Sequence, residues 1–239
     1  MTNFYDWKTE DIKPFIAIIS VTIGFLSYWF LVVSEKIKAA FFRKYEFNKA
    51  SIYYVFFQKM MGFLFMGVFP GIVMLNATHY TLADLGFKTG NYKESLVYIV
   101  VIGLLFITIT YFTSRNPFNI KTYPQMRIKE WTAKLIFINS FGWAATLLAS
   151  EFMYRGILLI VCYNAFGFWP AVAINICFHA TSHIGKGITE SFGAFPYVPF
   201  LCYATISTGS LAVAFFTHVI LALSNDYFAI HHNPEMKYV

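Results

Sequence analysis

The sequence predicts an all-α fold: a polytopic integral membrane helical bundle of about seven transmembrane helices. Three observations carry that expectation. Of the 239 residues, 58% are hydrophobic and only 13% are charged, more apolar surface than a soluble domain covers. The apolar residues gather in runs of the roughly 20 residues that a helix needs to cross a bilayer. Between the runs, Lys and Arg concentrate on alternate connections, the pattern that positive-inside topology imposes.

The predicted spans are 14–33, 53–75, 95–113, 133–160, 168–184, 192–207 and 210–229. The first follows Asp6, Glu10 and Asp11, whereas a signal peptide has a basic start and a shorter apolar core, so it reads as a retained anchor helix. The connection after it carries Lys36, Lys38, Arg43, Lys44 and Lys49 among Phe41, Phe42, Tyr45 and Phe47. That mixture suits either an amphipathic helix lying in the interface or a solvated basic loop. Pro196 and Pro199 interrupt the sixth run, which is therefore either a span whose freed backbone groups find neighbours or a re-entrant segment.

Arg115, Lys121, Arg127 and Lys129 follow the third span; Lys88 and Lys93 before it are offset by Asp84 and Glu94, and the fourth-to-fifth connection has no Lys or Arg. The alternation places the N-terminus outside and the C-terminus in the cytoplasm. Without repeats, low-complexity tracts or a linker, residues 1–239 read as a single membrane domain.

Cys162, Cys177 and Cys202 lie far apart in apolar surroundings, so neither a disulfide framework nor a zinc finger is indicated. The net charge of +6 sits in loops between spans and not in one aromatic-interleaved patch. Its expected partner is the lipid bilayer, not nucleic acid.

The heptad SEFMYRG, residues 150–156, puts Glu151 and Arg155 one helical turn apart at membrane depth, close enough for a charge-assisted pair. In NICFHATSHIGKG, Asn175, His179 and His183 follow at the same one-turn spacing, and His218 stands in the last span. Ionisable groups at such depth are rare and generally face the bundle interior. At about 1.5 Å of rise per residue, Glu151, His179, His183 and His218 fall within roughly 10 Å of depth of one another. One polar cavity is therefore expected, able to activate a water for attack on a carbonyl and to stabilise the oxyanion. The plain alternative is an ion pair that only positions two helices. His179, His183 and Glu151 are also the residues that would hold a zinc ion if there is one. No His-Glu-x-x-His motif accompanies them, and no cofactor is firmly predicted.

The order Glu-x-x-x-Arg-Gly, then His-Ile-Gly-Lys, then a late His resembles the CAAX-processing and bacteriocin-processing protease family (CPBP, or Abi), over roughly residues 130–230, with 1–129 as N-terminal spans. The resemblance implies an all-helical intramembrane endopeptidase in which a glutamate and a histidine activate water without an acyl intermediate. Its expected substrate is a membrane-associated or prenylated-like peptide, and its expected location a bacterial inner membrane. SEFMYRG matches the family's Glu-Glu-x-x-x-Arg, HATSH its Phe-x-x-x-His, and HVILA its His-x-x-x-Asn. By that match Glu151 and His183 activate water, His218 stabilises the oxyanion and Arg155 orients Glu151.

Each motif also departs from the pattern. Ser150 occupies the first glutamate position, usually the base, and neighbouring helix positions point about 100° apart. Ala222 replaces the amide that would assist His218, a loss that Asn225 on nearly the same face is a candidate to offset. His179 stands where an aromatic is usual, as a new ligand or base or as a ring packed in the aromatic's place. These departures motivate two other readings. One is a non-catalytic relative acting as a binding, immunity or scaffolding protein. The other is a proton-coupled carrier, against which stands the lack of an internal repeat with broken helices.

Overall fold

The computed structural model describes residues 8–239. Their secondary structure is helical apart from one pair of two-residue strands, and five helices are long and apolar enough to cross a membrane. In chain order the helices are α1 (Thr9–Val32), α2 (Glu35–Lys44), α3 (Phe47–Ala77), α4 (Tyr92–Thr113), α5 (Pro117–Thr122), α6 (Ala133–Phe166), α7 (Phe168–Ser182), α8 (Ile188–Thr208) and α9 (Ala212–His232). The five are α1, α3, α4, α6 and α9. The expected fifth and sixth spans form α7 and α8. With 15 residues, α7 is shorter than a full crossing, and α8 continues as one helix through both Pro196 and Pro199.

The basic connection after α1 is a helix and not a solvated loop. Ser34 starts α2 by accepting a hydrogen bond from the Ile37 amide at 3.4 Å, and Arg43 and Lys44 lie in the last turn, where the helix dipole favours cations. Phe41 packs on Tyr54 and Phe57 of α3, with ring centres 5.7 and 5.5 Å apart. Its apolar residues meet the bundle while its lysines stay in solvent.

At the core stands α6, with 78% of its most apolar stretch buried, against 11% for α4 at the periphery. The difference follows from side-chain size. Gly67 of α3 lies so close to α6 that an added Cβ would stand 2.7 Å from the Ala149 Cβ, and one on Gly71 would stand 2.9 Å from the Phe152 ring. Small residues let two membrane helices approach this closely. Replacing Gly67 with valine is expected to destabilise the protein by about 1–3 kcal/mol, as overpacking does, read as a lower unfolding midpoint in detergent.

Each of these two helices contains a π-helical stretch, Phe63–Val68 in α3 and Phe152–Leu159 in α6, and the two stretches pack together. Wider turns of this kind occur frequently at functional sites. The one in α6 begins directly after Glu151 and contains Arg155.

Two clamps close the bundle. At the α2 end, strands Glu130–Trp131 and Lys237–Tyr238 pair in parallel, pinning the C-terminal segment beside the buried Trp131. At the opposite end, the connection between α3 and α4 is tied to the turn between α8 and α9. The Asn91 amide donates to the Thr208 carbonyl at 2.8 Å, the Leu211 amide to the Gly86 carbonyl at 3.1 Å, and the Ser210 hydroxyl to the Lys88 carbonyl at 2.7 Å. Gly86 and Gly90 take positive φ there, which Gly alone adopts freely.

Candidate active site

Glu151 is fully buried at the end of the α-helical part of α6. Its Oε1 accepts from His218 Nδ1 of α9 at 2.6 Å, and its Oε2 lies 3.0 Å from Arg155 Nη1. The ion pair is close in distance but not aligned for a hydrogen bond. Arg155 is buried too, and the same Nη1 lies 3.3 Å from His179 Nδ1 of α7. A guanidinium has only donors, so His179 accepts at Nδ1 and carries its proton on Nε2.

His183 ends α7, with Nδ1 3.0 Å from the His179 carbonyl. A carbonyl accepts, so Nδ1 of His183 donates and, in the neutral ring, Nε2 keeps its lone pair. The same logic holds for His218, whose Nδ1 faces a carboxylate. Two imidazoles thus share one arrangement, with Nδ1 anchored to an acceptor. The His179 and His183 rings stack with centres 4.7 Å apart, and His218 stands 6.4 Å from His179. The four groups expected to converge do converge.

They border a cavity of about 240 Å³ between α1, α3, α6, α7 and α9, in the half of the bundle nearer α2. His179, His183, His218 and Ser150 face it, with Lys59, Gln58 and Trp143 on the far wall. Glu151 does not line it. Sequence spacing had put a water-activating carboxylate in the chamber, but both Glu151 oxygens point away, toward Arg155 and His218. In its place Ser150 faces the cavity and donates to the Leu147 carbonyl at 3.0 Å. Glu151 therefore touches the chamber wall through the His218 ring, and through Arg155 it is linked to His179.

The auxiliary residues fall elsewhere. Asn225 accepts from Asn119 of the α5 segment at 2.7 Å and is not in the cavity wall, so it does not stand in for the amide missing at Ala222. Asn175 is buried, donating to the Ala171 carbonyl at 3.2 Å. Of the three residues considered for zinc, Glu151 is engaged on both oxygens, by His218 and by Arg155. Among the described residues no group of three or more His, Cys, Asp or Glu is placed to hold a metal ion.

Two charged residues at membrane depth were missed by sequence reasoning. Lys59 of α3 is 5% exposed and its ammonium sits over the Trp143 ring. Asp226 of α9 is fully buried; its Oδ2 accepts from Trp143 Nε1 at 2.6 Å and from Asn139 Nδ2 at 3.0 Å. Trp143 is thereby fixed in the cavity wall between a cation and an anion. The signal was available, since each is an ionisable residue inside a predicted span. Asp226→Ala would orphan two buried donors at about 1–3 kcal/mol each, and is expected to lower the unfolding midpoint while the Glu151–His218 contact survives. Tyr197 of α8 was missed as well, its ring packing edge-on against His218 at 6.0 Å.

Residues 126–224 match the family model of type II CAAX prenyl endopeptidase Rce1-like proteins. The match covers SEFMYRG, HATSH and HVILA, and so bears out the family resemblance read from them. No curated protein and no solved structure matches the chain significantly.

Proposed function

With residues 126–224 assigned to the Rce1-like endopeptidase family, we propose that this protein is an intramembrane endopeptidase that hydrolyses a peptide bond of a membrane-associated, prenylated-type substrate. The observation that carries this reading is the 2.6 Å contact between the buried Glu151 and His218 at the edge of a membrane-depth cavity.

His218 is the general base. Its Nε2 takes a proton from a water in the cavity as that water attacks the scissile carbonyl. Glu151 keeps the ring in the competent tautomer and balances the imidazolium that forms. Arg155 holds Glu151 ionised and in place. The tetrahedral intermediate collapses when His218 returns the proton to the leaving amine, so no acyl-enzyme is needed. His183 is the second imidazole of the chamber wall; in its protonated form it donates to the oxyanion. The roles of His183 and His218 are thus exchanged relative to the simple motif match, because His218 is the ring that hydrogen-bonds the carboxylate at 2.6 Å. Lys59 supplies a positive charge to the far wall, suited to an anionic end of the bound peptide.

The positive-inside pattern supports a cytoplasmic setting for the cavity, with the C-terminus on that side. A bacterial inner membrane is the setting that the family resemblance suggests.

The test uses the full chain in lipid nanodiscs with a farnesylated peptide bearing a free C-terminal carboxylate, in water enriched in oxygen-18. One internal peptide bond is expected to break, with heavy oxygen in the new carboxylate. A peptide that binds and stays intact would instead favour a non-catalytic binding protein, the reading that Ser150 and Ala222 leave standing.

A further inference from the structure

A second and larger cavity, about 450 Å³, lies at the end of the bundle opposite α2. Its wall combines the start of α1 (Lys13), the chain just beyond α3 (His79, Tyr80, Asp84, Lys88), the end of α6 (Ile160, Tyr163, Asn164) and the end of α8 (Thr205, Ile206). Four helices terminate here, so the cavity sits at the level of lipid headgroups. It is far along the spans from the histidine chamber and shares no lining residue with it.

The chemistry of the wall is that of an anion site. Lys13 and Lys88 are exposed around it, and His79 adds an imidazole. Asp84 is the single acid of the wall, and its Oδ2 is already occupied by the Thr81 amide at 2.8 Å and the Thr81 hydroxyl at 2.6 Å. The excess charge is positive. Lys13 stands over the Tyr80 ring at 5.1 Å, and Asn164 donates to the Tyr80 hydroxyl at 3.2 Å, which fixes that side of the wall. Thr205 is 1% exposed, lines the cavity, and its hydroxyl has no hydrogen-bond partner among the described residues. A buried hydroxyl without a partner is costly unless a ligand oxygen completes it. On two of the helices that form the wall, Ile12 and Ile19 of α1 and Phe166 of α6 are exposed apolar side chains.

We propose that this cavity binds a phosphate group, as carried by an anionic phospholipid headgroup of the leaflet opposite α2, with Lys13, Lys88, His79 and Thr205 as its ligands. The site is independent of the proteolytic reading.

Native mass spectrometry of the full chain released from detergent tests this, titrating in turn short-chain phosphatidylglycerol, phosphatidylcholine with the same chains, and inorganic phosphate. Phosphatidylglycerol is expected to bind more tightly than phosphatidylcholine. Lys13→Gln and Lys88→Gln should each weaken it about five-fold, following the usual contribution of a basic residue near an anionic surface. Lys36→Gln with Lys38→Gln, on α2 at the other end, should leave it unchanged. Saturation by inorganic phosphate alone, lost in the Lys13→Gln/Lys88→Gln double variant, keeps the phosphate site and assigns it to a soluble source. Equal phosphatidylglycerol binding by that double variant and the parent overturns the proposal. Because both lysines are exposed, an unchanged unfolding midpoint certifies that the variants are folded.

Discussion

Glu151→Gln is expected to lower turnover by about 10³–10⁴-fold, the upper range for a positioned general base, while KM stays within a few-fold of the parent. The amide has the carboxylate's shape but not its charge. It can turn its NH₂ toward His218 Nδ1, forcing the ring proton onto Nε2, so that the imidazole meets the cavity as a donor and cannot accept from water. Even in the other orientation, no anion balances the imidazolium formed during attack. Substrate binding is spared because Glu151 does not line the cavity. Single-turnover cleavage of the farnesylated peptide in nanodiscs, over a range of peptide concentrations, separates the two effects. A KM change without a rate change would mean that Glu151 shapes the chamber and takes no part in the chemistry.

Arg155→Met has the largest expected effect on stability. The side-chain volume is roughly kept, but Glu151 becomes a buried carboxylate whose nearest cation is gone. Breaking a buried pair in this way costs about 3–5 kcal/mol, and the hydrogen bond from His218 offsets only part of it. Adding Glu151→Gln to Arg155→Met should restore most of that stability, because the double variant buries no net charge. It should not restore cleavage. Thermal unfolding in detergent gives the first comparison and the peptide assay the second. If Arg155→Met is as stable as the parent, water reaches the pair and its burial is only apparent.

Much of this arrangement could be read from the residues alone, and the reasons are physical. Apolar runs marked α1, α3, α4, α6 and α9 because lipid demands them at a fixed length. The convergence of Glu151, His179, His183 and His218 followed from depth, since ionisable groups in a bilayer must meet one another or water. The direction of Glu151 did not follow. Spacing placed it on one face with Arg155, which the structure retains, but whether that face looks into the chamber depends on how α6 packs against α3 and α9. Ser150 and Glu151 are neighbours in sequence and look into different environments, a division that close packing at Gly67 and Ala149 fixes. Lys59 and Asp226 carry the same depth signal as the histidines, each being an ionisable residue inside an apolar run. The cavity at the opposite end had no sequence signature, since its wall is drawn from four segments that only the closed bundle brings together.

In the proposed mechanism Glu151 acts through His218 and not on water directly. A double-mutant cycle in kcat/KM for peptide cleavage, comparing the parent with Glu151→Gln, His218→Ala and the two combined, tests it most directly. Residues acting in series predict that the combined variant is no slower than His218→Ala alone, because a carboxylate with no ring to orient has nothing left to lose. Losses that multiply in the combined variant would contradict the account: the carboxylate would then meet the reacting water by a route independent of the imidazole.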